Sequence, residues 1–331
     1  MRSRSTGTRV AGPEFPFELA LCARLEERTD WVLARQLGGA VAAPGSRVVD
    51  VVGVVPGTAF DDRAAVTDRT IPPAVVAGGA GVGTAVPAER AVDASPPHRE
   101  RLLDRAVEVG FLDRVRRNGR TLYRRTTRYP DDWFAELVAV ENKPDLDRPG
   151  DLRRQLRHDA ALALFDRVVL ATASHVTRAH LNRLPDPVGV WRVDPATGER
   201  RVVREADPRP VGEPGVEPTG ERADRTDVAV VDPAAKRRAR RRVAERAYGK
   251  GWRTYDLPAC ARVEPTDDGR PRCEAFDRVV DPASDCGPDC PHRAPADPPT
   301  VDAARLRDDR TPWRRDPPGV ADRQAGLDRF G

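Results

Sequence analysis

The sequence predicts a mixed α/β protein, with a central sheet that carries helices on its faces. Two apolar, β-branched runs read as strands. One is residues 47–55 (RVVDVVGVV), between Gly45 and Pro56; the other is residues 133–142 (WFAELVAVEN), closed by Lys143-Pro144. A helical stretch at 151–165 (DLRRQLRHDAALALF) then leads to a third apolar strand at 167–173 (RVVLATA). A helix crossing over between neighbouring strands makes their pairing parallel, so the sheet is expected to be mixed.

The elements follow in order. Residues 1–12 read as a disordered tail, with basic residues but no hydrophobic stretch behind them and hence no signal peptide. The core is expected over residues 13–194. Leu19, Leu21, Cys22 and Leu25 recur at helical spacing among Glu14, Glu18, Glu26 and Glu27, which gives a first amphipathic helix. A short apolar segment ends at Gly38-Gly39, the strand 47–55 follows, and residues 56–130 form an insertion before the strand 133–142. In the helix at 151–165, Leu152, Leu156, Ala160, Ala163 and Leu164 form one stripe. A short helix at 175–184 and a final strand at 188–193 complete the core. Residues 195–235, rich in Pro, Gly, Asp and Arg, read as a linker. Residues 236–293 hold a basic segment and a cysteine cluster, and residues 294–331 read as a disordered tail.

Composition agrees with interrupted order. Only 39% of the 331 residues are hydrophobic and 33% are charged, with 26 Gly and 32 Pro. The net charge of +4 is too small to define a partner unless it clusters. No apolar run reaches the roughly 18–20 residues of a membrane span, so a cytoplasmic protein with no membrane partner is expected. Oligomeric state leaves no mark on the sequence. All but three of the 56 basic residues are arginine. Lys143, Lys236 and Lys250 have escaped that bias, and a guanidinium is a poor stand-in for a compact ammonium at a reacting centre.

The chemistry starts from the strands. A period of two puts Glu141 and Lys143 on one face, with Leu137 and Ala139. Asp50 lies among Val48, Val49, Val51 and Val52, where an ionised carboxylate is costly without a cation or donors. If the two strands are neighbours, Asp50, Glu141 and Lys143 converge. The two carboxylates would then bind Mg²⁺ or Mn²⁺, the ion would activate a water and polarise a phosphate, and Lys143 would orient that water or steady the developing charge.

On this E-x-K at 141–143, an Asp in a preceding strand and the helix–strand–strand–helix–strand order, the chain resembles the PD-(D/E)xK superfamily of restriction-endonuclease-like nucleases. The resemblance covers roughly residues 13–194. It implies a restriction-endonuclease-like fold and a role for an acidic residue of the first helix, here Glu18. It also implies a Gln in the helix after the E-x-K strand, as in the RecB-like branch, here Gln155. More narrowly, the chain resembles an uncharacterised family from halophilic archaea. Pro130-Asp131 matches the written motif, yet ten extended residues at ~3.3 Å each place Asp131 on the order of 30 Å from Glu141. Asp50 is the better partner, although 91 residues separate it from Glu141 and demand an inserted module.

That insertion contains a helix-prone stretch at 96–110 and a basic Asn-Gly turn, Arg116-Arg117-Asn118-Gly119-Arg120, which together resemble a winged helix. Arg116, Arg117 and Arg120 would contact nucleic-acid phosphates. Residues 236–242 (KRRARRR) offer Arg237, Arg238, Arg240 and Arg241 for the same purpose. Cys260, Cys273, Cys286 and Cys290, with His292 close behind, crowd together as C-x12-C-x12-C-x3-C. In a cytoplasmic protein this argues for metal rather than disulfides: Zn²⁺ first, no metal second, and third an iron–sulfur cluster, which some RecB-like nucleases carry. The expected function is a Mg²⁺-dependent nuclease acting on DNA. The rival is a non-catalytic nucleic-acid-binding regulator, or an inactive nuclease-like protein with a zinc-stabilised tail.

Overall fold

A computed structural model describes residues 14–195, 197–222 and 224–319. The tail expected at 1–12 therefore lies outside the described residues. The chain opens with α1 (Glu14–Arg28), β1 (Val32–Gly38) and β2 (Val48–Pro56). The insertion follows: α2 (Phe60–Ala64), α3 (Pro73–Val76), α4 (Ala88–Ala91), α5 (Pro96–Glu108) and the hairpin β3 (Leu112–Arg117) and β4 (Arg120–Arg125). Next come β5 (Phe134–Asn142), α6 (Leu152–Leu162), β6 (Arg167–Thr172), α7 (Arg178–Leu181) and β7 (Gly189–Val193). After them lie β8 (Arg200–Arg204), β9 (Gly215–Glu221), β10 (Thr226–Val231) and α8 (Pro233–Lys250). Three very short strands, β11 (Val263–Pro265), β12 (Pro271–Cys273) and β13 (Arg278–Val279), precede α9 (Ala303–Arg310).

The central sheet is mixed, in the order β1-β2-β5-β6-β7-β8. Pairing is antiparallel from β1 through β5, parallel across β5, β6 and β7, and antiparallel again at β8. The parallel stretch is the one that the α6 crossover dictates. One face buries α1, whose Phe17, Leu19, Leu21, Cys22 and Leu25 meet Leu33, Val51, Val138, Val140 and Trp191. The other face carries α6, α8 and the insertion in one larger core containing Ala34, Val52, Val54, Leu137 and Ala139. Alternate residues of each strand thus feed alternate cores, as the pleat requires. The insertion's turn adopts the expected mirror-image geometry, with positive φ at Asn118 (49°) and Gly119 (75°).

Several expectations need correcting. The segment before Gly38 is a full strand, β1, at the edge of the sheet. Residues 195–235 are not a linker. β8 is the sixth strand of the sheet, and the β9–β10 hairpin packs on α6, where a Cβ at Gly215 would come within 2.1 Å of the Leu162 carbonyl oxygen. Residues of these strands are mostly polar or exposed, so pairing with neighbouring strands leaves no hydrophobic alternation to set them apart from a linker. The basic segment, expected to form one module with the cysteine cluster, belongs to the core instead. α8 buries Ala239, Val243, Ala244, Ala247 and Tyr248 against the sheet, and Arg240 and Arg241 lie over the rings of Phe134 and Tyr129. Nor is 294–331 wholly a tail: α9 docks, and Trp313 is buried with its indole N–H on the Asp68 carbonyl at 3.0 Å. No helix among the described residues is long and apolar enough to cross a membrane.

Candidate active site

Register places the carboxylates. β2 pairs with β5 so that Val51 faces Val140, and one further step puts Asp50 opposite Glu141. Directly opposed residues share a face in an antiparallel pair. The alternation is disturbed here, because Gln36, across β1 from Asp50, has φ of 53°. Asp50 therefore sits where the two sheet faces meet at the strand ends, within electrostatic reach of Glu18 on α1 and of Glu141 on β5.

Each carboxylate has a distinct set of donors. The Asn142 backbone N–H donates to Asp50 Oδ2 at 2.9 Å, and the Gln36 amide nitrogen makes a long contact of 3.3 Å with Oδ1. The same amide lies 3.4 Å from both oxygens of Glu18, which is ion-paired with Arg35. Glu141 accepts from Arg47 at 2.6 Å. Arg47 is more firmly held by Asp159 of α6, through contacts of 2.6, 3.0 and 3.2 Å. Lys143 turns to Glu14 at the start of α1. The side-chain oxygen of Asn142 is buried and has no hydrogen-bond partner among the described residues, although its nitrogen donates to the Glu14 carbonyl at 3.0 Å.

The electrostatics follow from burial. Desolvation raises Glu18, Asp50 and Glu141, and mutual repulsion adds to the effect. Glu141, desolvated and next to Asp50, is pushed up to about 8 despite Arg47. Three acids whose charged forms burial disfavours thus lie beside the Asn142 amide oxygen, an arrangement that gathers several oxygen donors at one place. Among the described residues, no three or more His, Cys, Asp or Glu side chains surround a common point as a finished metal cage. The oxygen donors nonetheless suit a hard cation, which accepts carboxylate and amide oxygens and keeps waters of its own.

Of the residues implied by resemblance, Glu18 joins this group and Gln155 does not. Gln155 has no side-chain partner in the site, and the α6 residue that reaches it is Asp159, one turn on. Sequence reasoning missed Arg35, Gln36, Arg47 and Asp159. Asp159 left a trace as an acid on the inward side of α6, next to Ala160. Asp131, at the opposite end of β5, pairs with Arg241 at 2.6 Å.

The basic residues divide. Arg240 is buried on the Leu164 carbonyl and Asp166, both at 2.7 Å, whereas Arg241 is half-buried and pairs with the exposed Asp131. This removes Arg240 from the expected nucleic-acid contacts, because a buried guanidinium paired in this way has its donors turned inward. Arg116, Arg117, Arg120, Arg237 and Arg238 are exposed, with no ion-pair partner among the described residues. All three lysines have defined partners: besides Lys143, Lys236 donates to the carbonyls of Pro210 and Glu213, and Lys250 to those of Arg35 and Gln36. Lysine scarcity thus marks places that need a compact ammonium, of which the site is only one.

Cys260, Cys273, Cys286 and Cys290 are free thiols that line one open cavity of about 570 Å³ together with His292. Burial, then the neighbouring thiols and Asp285, push Cys286 up to about 11. His292 stands edge-on to Phe276, with centroids 5.3 Å apart.

No curated protein and no solved structure matches the chain. A family model does match, over residues 32–295, a span that takes in Asp50, Glu141, Lys143 and the four clustered cysteines but omits α1 and Glu18. The chain belongs to this family of unknown function, DUF5787.

Proposed function

We propose that the chain is a divalent-metal-dependent nuclease with a restriction-endonuclease-like core, acting on DNA. The observation that carries this reading is the row of carboxylates, Glu18 and Glu141 buried and Asp50 half-buried, at the joined ends of β2 and β5 beside the Asn142 oxygen, which has no partner among the described residues. Asp50 and Glu141 would hold Mg²⁺ or Mn²⁺, with Glu18 and Asn142 close by. Bound there, the ion would lower the pKa of a water and polarise a phosphodiester. Arg47 releases Glu141 without being stranded, because Asp159 keeps its guanidinium. Lys143, positioned by Glu14, supplies a compact charge for the developing negative oxygen. The exposed Arg116, Arg117 and Arg120 of a winged-helix-like insertion, with Arg237 and Arg238, would contact backbone phosphates.

The test is a cleavage assay over single- and double-stranded DNA and RNA, with Mg²⁺, Mn²⁺ or a chelator. Metal-dependent cleavage is expected, and Lys143→Arg is expected to lose roughly 10²–10³-fold of it with an unchanged melting temperature. Full activity in Lys143→Arg removes Lys143 from the mechanism. Binding without cleavage on every substrate favours the regulator instead.

The cysteine module extends the proposal. Its buried hydrophobic residues are Val263, Cys273 and Val280 alone, and its strands are two or three residues long. So small a core needs another source of folding energy, which Zn²⁺ on the four thiols, or on three and His292, would supply. Metal analysis is expected to return about one zinc per chain. Iron with a brown colour shifts the assignment to an iron–sulfur cluster. Neither metal, with four thiols freely titratable in the native protein, retires it.

A further inference from the structure

We infer that a second pocket, between α8, α9 and the segment that follows α2, binds an oxyanion of the phosphate class. The cavity is about 410 Å³, room enough for a phosphate with part of what it is attached to. Five cations line it, Arg69, Arg105, Lys250, Arg253 and Arg307, and Asp68 is its one acid among the described residues.

Arg307 carries the argument. It is only 8% exposed, yet no carboxylate among the described residues lies within ion-pair distance of it. Its guanidinium donates to the Ala247 carbonyl at 3.0 Å and stacks 4.6 Å from the Trp313 ring centroid. The backbone at Gly251, with φ of 71°, passes so close that a Cβ there would lie 3.4 Å from the guanidinium. One carbonyl and one ring face offset only part of what a buried cation loses in leaving water. Burial accordingly holds this guanidinium down to about 9. Every other buried arginine side chain described above has a carboxylate; this one opens on a cavity instead.

The other cations differ in how free they are. Arg253 is bound to Glu26 through both terminal nitrogens and is not available. Arg69 and Arg105 share Glu108 at the exposed rim, so they can turn inward toward an anion. Lys250 links this pocket to the carboxylate site: its ammonium holds the Gln36 carbonyl, and the Gln36 amide touches Asp50 and Glu18. A planar guanidinium fork with flanking cations fits phosphate oxygens bidentately. The inference does not depend on the hydrolase reading, since anion binding needs neither metal nor cleavage.

The test measures binding of inorganic phosphate and of 5′-phosphorylated and 5′-hydroxyl oligonucleotides to the full-length protein as purified, with no Mg²⁺ or Mn²⁺ added. Phosphate is expected to raise the melting temperature above that in chloride of equal ionic strength. Arg307→Met, which keeps the stem on Trp313, is expected to weaken phosphate binding about tenfold or more without lowering stability in chloride. Should Arg307→Met fail to fold, Arg69→Ser/Arg105→Ser at the rim is expected to weaken binding to a similar extent. Preference for the 5′-phosphorylated oligonucleotide identifies a terminal phosphate, equal binding of both identifies an internal phosphodiester, and binding of the free ion alone identifies inorganic phosphate. Equal melting in phosphate and chloride, or unchanged phosphate affinity in the folded variants, overturns the inference. Because these readouts are taken without added Mg²⁺ or Mn²⁺, their failure leaves the cleavage assay untouched.

Discussion

Replacing Glu245 by Ala is expected to destabilise the protein by about 3–5 kcal/mol, the usual consequence of removing one partner of a buried ion pair. Glu245 on α8 is fully buried and accepts four bonds. Two come from Arg63 of α2 at 2.7 and 2.6 Å, one from the Tyr129 hydroxyl at 2.8 Å and one from the Ile71 N–H at 2.9 Å. Arg63 is fully buried too, roofed by Tyr248 at 4.2 Å, and its remaining donors go to the carbonyls of Thr67 and Arg69. Without Glu245, a guanidinium, a hydroxyl and a backbone N–H lose an acceptor where water cannot replace it. This one carboxylate fastens the insertion to the helix behind the sheet. The melting temperature should fall on the order of 10 °C. Arg63→Met/Glu245→Leu should recover part of that loss, because no charge is then left unpaired. A loss below about 1 kcal/mol for Glu245→Ala would mean that the pair is not what holds the insertion in place.

That clasp also shows why the sequence revealed some parts of the fold and not others. Asp50 and Glu141 could be singled out because each interrupts an apolar strand, and a period of two is readable from the chain alone. The α6 stripe and the Asn-Gly turn are equally local. Arg63 and Glu245 are 182 residues apart and look like two ordinary charges in an arginine-rich chain. The same holds for Arg47 and Asp159, and for Lys236 beneath the carbonyls of Pro210 and Glu213. In α8 the charged residues dominate the composition while Ala239, Val243, Ala244 and Ala247 do the packing, so the helix reads as solvated and is in fact buried. β8, β9 and β10 escaped for a different reason. Their residues are mostly polar or exposed, and what makes them strands is backbone pairing that leaves no hydrophobic alternation behind.

Glu141→Gln separates a catalytic carboxylate from a structural one, because the two roles predict opposite changes in stability. If Glu141 serves mainly to neutralise Arg47, its removal should resemble Glu245→Ala and cost several kcal/mol. The contacts argue otherwise. Arg47 makes one bond to Glu141 and three to Asp159, which is 1% exposed and whose carboxyl Arg47 and His158 hold below its ordinary value against burial. The guanidinium thus stays neutralised without Glu141. What the substitution does remove is a buried carboxyl whose ionised form burial and Asp50 disfavour. The melting temperature is therefore expected to stay the same or rise. Metal-dependent cleavage is expected to fall by at least roughly 10³-fold, as when a group that organises the reacting centre is lost. Such an inverse relation between stability and activity marks a site held in a costly arrangement for its chemistry. A drop in melting temperature like that of Glu245→Ala, with cleavage retained, would make Glu141 a structural partner of Arg47 and shift the search for the metal ligands to Glu18 and Asp50.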